Sequence, residues 1–233
     1  MTASPGPARV VVLAAPSGGG KTTITRELRA RLPDEFGYSV SATTRKARPG
    51  ERDGEAYHFL TRDEFLRRRA AGEFLESAEY AGELYGTLRA EVERVLRAGK
   101  HVVLDVEVQG ARQVRRAYPR PASLIVFVIP PSPRVLLERL RRRRTESAEE
   151  LRERTAIAVD EVETAAREVG QVYDHVLVND ELEAAVREVI ELVRGHDVAP
   201  RTPHDAAQFL SGFARQLQRE AAQLRQSTGR SSG

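Results

Sequence analysis

The stretch Ala14-Ala15-Pro16-Ser17-Gly18-Gly19-Gly20-Lys21-Thr22-Thr23 follows the apolar run Val10 to Leu13 and leads into a helix-like segment ending near Leu32. Strand, glycine loop and helix in that order constrain this chain more than any other feature. Successive glycines let the backbone turn its N–H groups toward a common centre, and the new helix adds its positive end. Phosphate binds to such a loop. Lys21 would reach the β- and γ-phosphates of a nucleotide, and the Thr22 hydroxyl would complete the shell of a Mg²⁺ ion. The expected ligand is Mg-ATP or Mg-GTP, held along Ala15, Pro16, Ser17, Gly18, Gly19, Gly20, Lys21, Thr22 and Thr23. Ala15 stands where the loop pattern asks for its first Gly. A flexible glycine turn without nucleotide is the competing reading, and the preceding strand, Lys21 and Thr22 argue against it.

Composition narrows the class. With 233 residues and 40% hydrophobic content the chain can bury one substantial core, with a small lobe inserted into it. It contains no cysteine, which excludes disulfides, thiolate metal sites and a Cys nucleophile. No apolar run approaches the roughly 20 residues that cross a bilayer, and Met1 to Ala8 lacks a signal-peptide core. A cytoplasmic protein without a membrane role is expected. The net charge is +3, and acidic and basic residues interleave as on a solvated, ion-paired surface, so no nucleic-acid partner is expected.

Apolar, β-rich runs recur at Val10–Ala14, Tyr38–Ala42, Val102–Val108, Leu124–Ile129 and Val176–Val178, with helix-like stretches between most of them. This alternation predicts an α/β core with a parallel sheet covered by helices. Residues 45–97 break the rhythm with short polar strands at Tyr57–Leu60, Phe74–Tyr80 and Leu84–Leu88, and read as an inserted small lobe. Helices are expected over Arg134–Arg144, Ala148–Val169 and Glu181–Arg194, with Asp180 as a cap of the last. After a Gly- and Pro-containing break, Asp205–Gln226 reads as one more helix and Ser227 to Gly233 as disordered. Phe209, Leu210, Phe213, Leu217 and Leu224 lie at near-helical spacing there, which suits docking back or pairing with another subunit.

The inserted lobe carries the acceptor chemistry. Arg45, Arg48 and Tyr57 place two guanidinium groups and a phenol near a loop, and arginine binds phosphate bidentately. Those groups suit a nucleotide monophosphate. Further on, Glu76, Tyr85 and Thr87 supply a carboxylate, a second phenol and a hydroxyl. Guanine presents adjacent N1–H and N2–H₂ donors that one carboxylate accepts together, whereas adenine has an acceptor at N1. Glu76 would pair with guanine and repel adenine, a mismatch that discriminates strongly.

These motifs, taken together, closely resemble the guanylate kinases. The resemblance runs from about Arg9 to Arg194 and rests on Ser-Gly-Gly-Gly-Lys-Thr, Ser-x-x-Thr-Arg-x-x-Arg-x-Gly-Glu, Glu-Phe-Leu-Glu, Tyr-Gly-Thr, Leu-Asp-Val-Glu-Val-Gln-Gly and Val-Asn-Asp. It implies a P-loop NTPase three-layer core with a parallel sheet (residues 9–44, 98–134 and 171–195), a GMP-binding lobe (45–97), a helical lid with its adjoining helix (135–170) and a C-terminal extension (196–233). It implies that Arg45, Arg48, Tyr57 and Tyr85 hold the GMP phosphate and that Ser41, Glu76 and Thr87 read the guanine. Asp105 takes the Mg²⁺ side. Glu107 stands on the guanine side where the family usually has Asp. Arg139, Arg143 and Arg154 match lid arginines, and Asn179 matches a residue near the ATP adenine. Arg144 stands where many relatives carry Gly.

The implied activity is transfer of the γ-phosphoryl of Mg-ATP to GMP, and to dGMP, giving ADP and GDP in purine nucleotide metabolism. Lys21, Arg45, Arg139, Arg143 and Arg154 would stabilise the transferring charge, with positioning doing most of the catalysis. Three competitors remain: a guanylate-kinase-like module that binds protein partners, a kinase for another monophosphate, and a phosphate-loop NTPase acting on nucleic acid.

Overall fold

Seven consecutive buried residues make Ser123–Ile129 a strand covered on both faces, the pattern of a central strand in a helix-flanked sheet. In this computed structural model, which describes residues 7–80, 82–141, 148–196, 198 and 201–229, that strand is β8. The elements in order are β1 (Val10–Ala14), α1 (Lys21–Arg31), β2 (Phe36–Gly37), β3 (Ser41–Thr43), β4 (His58–Phe59), α2 (Arg62–Ala70), β5 (Phe74–Tyr80) and β6 (Glu83–Leu88). There follow α3 (Arg89–Arg97), β7 (His101–Val106), α4 (Val108–Ala117), β8, α5 (Pro133–Arg141), α6 (Ala148–Glu168), β9 (His175–Val178), α7 (Leu182–Arg194) and α8 (Pro203–Gly229).

The larger sheet has the strand order β2-β7-β1-β8-β9, with β2 parallel to β7 and β8 parallel to β9. The fold is α/β, of the P-loop NTPase kind expected. The chain divides into two units: one runs through Leu13 and from Thr25 to Ile125, and the other holds Ala14–Ile24 and the chain from Val126 onward.

The first unit contains a smaller sheet in the order β4-β3-β6-β5. Its β3 and β5 pair antiparallel with β6, and Ala42, Phe65, Phe74, Leu84 and Leu88 form a separate small core beneath it. Phe65 and Phe74 stack there with ring centroids 4.3 Å apart. At the outer strand β5, the Gln113 amide of α4 receives a hydrogen bond from the Ser77 N–H and donates one to the Ser77 carbonyl, each at 3.2 Å.

In the second unit α8 packs along α6 and against α5. It buries Ala206, Leu210, Phe213, Ala214 and Leu217, residues one helical face apart. The apolar spacing seen in the sequence is therefore used for docking back. The helix begins earlier than expected because Thr202 acts as a reciprocal cap: its hydroxyl accepts from the Asp205 N–H at 3.2 Å and donates to the Asp205 carboxylate at 2.7 Å. Pro203 then takes the first helical position.

Several expected boundaries are corrected. The strand expected over Tyr38–Ala42 is shortened to β3 from Ser41, because residues 38–40 are irregular chain that carries the backbone from β2 in the larger sheet to β3 in the smaller. Gly37 permits this crossing under α3, since a Cβ there would stand 2.4 Å from Val95 Cγ1. The strand expected to Val108 ends at Val106, and Val108 already opens α4. Asp180 is not the cap of α7; Glu181 holds that position, without a side-chain bond. Ser227–Gly229, expected to be disordered, continue α8. No helix among the described residues is long and apolar enough to cross a membrane.

Candidate active site

The phosphate loop belongs to the second unit. β1 is buried throughout, so the chain leaves the sheet at Ala14 and must turn before α1 starts at Lys21. Gly18 and Gly20 take left-handed backbone conformations, φ 86° and 98°, which side chains with a Cβ disfavour. Gly19 donates to the Pro16 carbonyl at 2.8 Å and closes the turn. A Cβ on Gly19 would lie 2.6 Å from the Cβ of buried Ala15. The methyl of Ala15 at the pattern's first-Gly position is accommodated because Gly19 has none.

Three side chains grip the loop's outward carbonyls and hydroxyl. Asn179, buried just after β9, donates its amide to the Gly19 carbonyl at 3.0 Å, and its own N–H donates to Ile129 at 2.7 Å. Arg139 on α5 donates to the Gly18 and Gly19 carbonyls at 3.5 and 3.4 Å, and to the Asn179 carbonyl at 3.4 Å. Arg154 on α6 donates to the Ser17 hydroxyl at 3.3 Å. Directing these carbonyls outward leaves the loop's N–H groups and the start of α1 to face an anion. Lys21 is half-buried and Thr22 exposed at that helix start.

The second cluster lies in the first unit, on one row of the smaller sheet. Ser41 on β3 stands opposite Thr87 on β6, and Thr87 opposite Glu76 on β5. Directly opposed residues point to the same face, so the row presents two hydroxyls and a carboxylate together. Thr87 donates to Glu76 at 2.7 Å. Glu76 is 7% exposed, and burial pushes its carboxyl up to about 7 despite the bonds from Thr87; the charge of Glu107 raises it further. Gly110 lets α4 close over it, since a Cβ there would lie 2.9 Å from Glu76 Oε2.

Two residues along β6, Tyr85 continues the same face. Its ring meets that of Tyr57 at 6.1 Å, edge to face. The Arg45 guanidinium lies 5.5 Å above the Tyr57 ring and pairs with both oxygens of Glu51 at 3.0 Å. Glu51 also accepts from the Arg48 N–H at 2.7 Å. Its carboxyl is held below the usual range, first by the bond from Arg45 and then by that from Arg48. Burial raises the Tyr57 phenol, and the charge of Asp105 adds to the shift.

The structure thus brings Arg139, Arg154 and Asn179 to the loop residues Ser17–Gly20, sets Ser41, Thr87 and Glu76 in one row, and gathers Arg45, Tyr57 and Tyr85. The Arg48 side chain is exposed; its backbone N–H is bonded to Glu51, and its charge helps to lower the Glu51 carboxyl. Asp105 is exposed near the end of β7, and Glu107 is half-buried at the start of α4. Arg143 and Arg144 lie outside the described residues. Sequence reasoning assigned no role to Glu51, although a carboxylate six residues after Arg45 and three after Arg48 was itself a signal for a shared clamp.

The family model for guanylate kinase matches residues 7–196. The chain belongs to the guanylate kinase family. It is 48% identical over 184 residues to the guanylate kinase of Symbiobacterium thermophilum, covering 79% of this chain and 83% of the relative. The guanylate kinase of Rubrobacter xylanophilus is 47% identical over 186 residues, covering 80% of this chain and 93% of that one. Among solved structures, guanylate kinase from Anaplasma phagocytophilum is 30% identical with a TM-score of 0.57, over 84% of this chain and 89% of that one. The guanylate kinase match ends before α8, which starts at Pro203.

Proposed function

We propose that this chain is an ATP:GMP phosphotransferase, moving the γ-phosphoryl group of Mg-ATP to GMP, or to dGMP, by direct in-line transfer to give ADP and GDP. The observation that carries this reading is the buried Glu76 carboxylate, bonded to Thr87 and in one row with Ser41. An ionised carboxylate there accepts from guanine N1–H and N2–H₂ together; adenine would leave it facing an acceptor. Because Glu76 titrates near neutral pH, GMP binding draws it into the ionised form and releases a proton.

On this reading Arg45, Arg48, Tyr57 and Tyr85 take the GMP phosphate, and Glu107 stands beside the guanine site. The Arg45 guanidinium, now bidentate on Glu51, offers the same planar fork to a phosphate. The loop from Ala15 to Thr23 cradles the ATP phosphates, with Asn179 behind it. Lys21, Arg139, Arg143 and Arg154 neutralise charge on the group in transit, and no general base is needed. Thr22 and Asp105, hard oxygen donors, suit a Mg²⁺ ion, which would supply charge neutralisation between the phosphates. Residues 45–97 form the GMP-binding lobe and residues 135–170 the lid. A cytoplasmic setting belongs to the same proposal, since both nucleotides are drawn from that pool; cell fractionation tests it.

Coupled ADP formation with Mg-ATP and each of GMP, dGMP, AMP, UMP and CMP tests the activity. Turnover confined to guanine nucleotides, and weakened by Glu76→Gln and by Lys21→Ala, supports it. GMP binding without turnover of any acceptor would replace it with a binding module.

A further inference from the structure

Both arginines that touch the phosphate loop are held on helices, Arg139 on α5 and Arg154 on α6. Helix α8 packs against both of those helices, and it lies beyond residue 196, where the family match stops. Its inward face is continuous: Ala206, Leu210, Phe213, Ala214 and Leu217 are all buried. α6 offers mostly small buried residues, Thr155, Ala158, Val162, Ala165 and Ala166, which let a neighbouring helix approach closely. Register is fixed at two points. Pro203 sits against Gly170, where a Cβ would lie 3.3 Å away, and Gln218 donates to Glu163 at 3.1 Å. α8 therefore runs from the end of α6 back toward the end that carries Arg154.

We propose that α8 is an intramolecular brace on the ATP side of the enzyme, with Leu210, Phe213 and Leu217 acting as positioning residues for Arg139 and Arg154. The brace couples α5 to α6, so the two guanidinium groups meet the phosphate loop as a pair. Loosening it lets each helix drift separately and weakens the hold on the ATP phosphates. The row of Ser41, Thr87 and Glu76 belongs to the other unit and is left untouched. This inference rests on the kinase reading above for the identity of its nucleotide.

The test uses the full chain carrying Leu210→Ala, Phe213→Ala or the conservative Phe213→Leu, with exposed Arg215→Ala as the control. Steady-state KM is measured separately for ATP and GMP, and GMP-binding stoichiometry by calorimetry counts the folded sites. The expected result is a rise in KM for ATP of about 3- to 10-fold in both alanine variants, with GMP affinity unchanged and Phe213→Leu close to the unaltered enzyme. Equal shifts for both substrates, or a lower count of folded sites with both KM values unchanged, would show that α8 serves stability alone and overturn the proposal. Should the alanine variants not fold, Gln218→Ala, which removes only the bond to Glu163, is read by the same split. If the unaltered chain turns over no GMP, the kinase reading fails on its own, and calorimetric ATP affinity across the same variants still decides on the brace.

Discussion

Thr87 donates its hydroxyl to the Glu76 carboxylate across two antiparallel strands, at 2.7 Å and out of reach of bulk water. The bond favours the ionised form of a group that burial holds near neutrality, at about 7. On the proposed guanine reading, specificity and protonation fall to the same pair.

GMP affinity should rise with pH. Below about 7 Glu76 is protonated and presents a donor to guanine, and above it the carboxylate accepts both guanine donors. The KM for GMP is expected to fall from pH 6 to pH 8 while the KM for ATP stays nearly level, and Glu76→Gln should remove that slope. The stability effect has the opposite sign. A carboxyl raised in the folded state binds its proton more tightly there than when unfolded, so nucleotide-free stability declines as pH rises from about 4.5 toward 7. Glu76→Gln is expected to raise the Tm of the empty protein at pH 8 more than at pH 5, with a gain on the order of 1–3 kcal/mol.

Removing the hydroxyl alone should be worse for GMP than shortening the side chain. Thr87→Val removes the hydroxyl donor to the buried Glu76 while the bond from the residue 87 backbone remains, and is expected to cost about 1–3 kcal/mol in GMP affinity, with the pH slope displaced upward. Thr87→Ser keeps the donor and should bind GMP within a few-fold of the unaltered protein. Calorimetric titration at pH 7 and pH 8 separates the two.

At Gly20 a Cβ would stand 2.2 Å from the Asn179 amide nitrogen, on a backbone with φ 98°. Gly20→Ala is therefore expected to raise the KM for ATP by at least about 100-fold, through both clash and strain. Adding Asn179→Ala relieves the clash and leaves the strain, so the double variant should recover only part of the loss. A double-mutant cycle measured on ATP affinity reads the difference.

Ala15 and Gly19 should respond asymmetrically. Ala15→Gly restores the usual loop residue and is expected to leave kcat intact at a stability cost of about 0.5–1 kcal/mol. Gly19→Ala drives a Cβ to 2.6 Å from Ala15 and should abolish ATP binding. Gly19→Ala combined with Ala15→Gly should regain only a fraction, because the Pro16 and Val128 carbonyls still lie 3.0 and 3.1 Å from that Cβ. Thermal melts with and without ATP give both quantities.

What was legible in the sequence is what local pattern encodes. The run Val10–Ala14 has no polar residue to turn outward, and β1 has those bounds; Phe74–Tyr80 likewise became β5 unaltered. Glu76 and Thr87 stood out because guanine needs such groups, although nothing in a linear reading shows that they bond to each other across 11 positions. The irregular start of Tyr38–Ala42 was hidden because apolarity does not say which sheet a strand joins. That depends on α3, which reaches Gly37 through Val95, far along the chain. Asn179 was matched to the nucleotide base side, while its grip on Gly19 spans 160 positions and leaves no local trace. Asp180 was expected to cap α7 on residue type alone, and the chain places Glu181 there instead.

The glutamine that faces the edge of β5 has a wider effect. By taking the Ser77 N–H and filling its carbonyl, Gln113 acts as a mock neighbouring strand at mid-edge. A foreign extended chain seeking to add itself to the small sheet would first have to evict that amide. The strand that carries Glu76 is thus shielded from intermolecular pairing at mid-edge by the Gln113 side chain, and Glu76 keeps its register in a crowded cell.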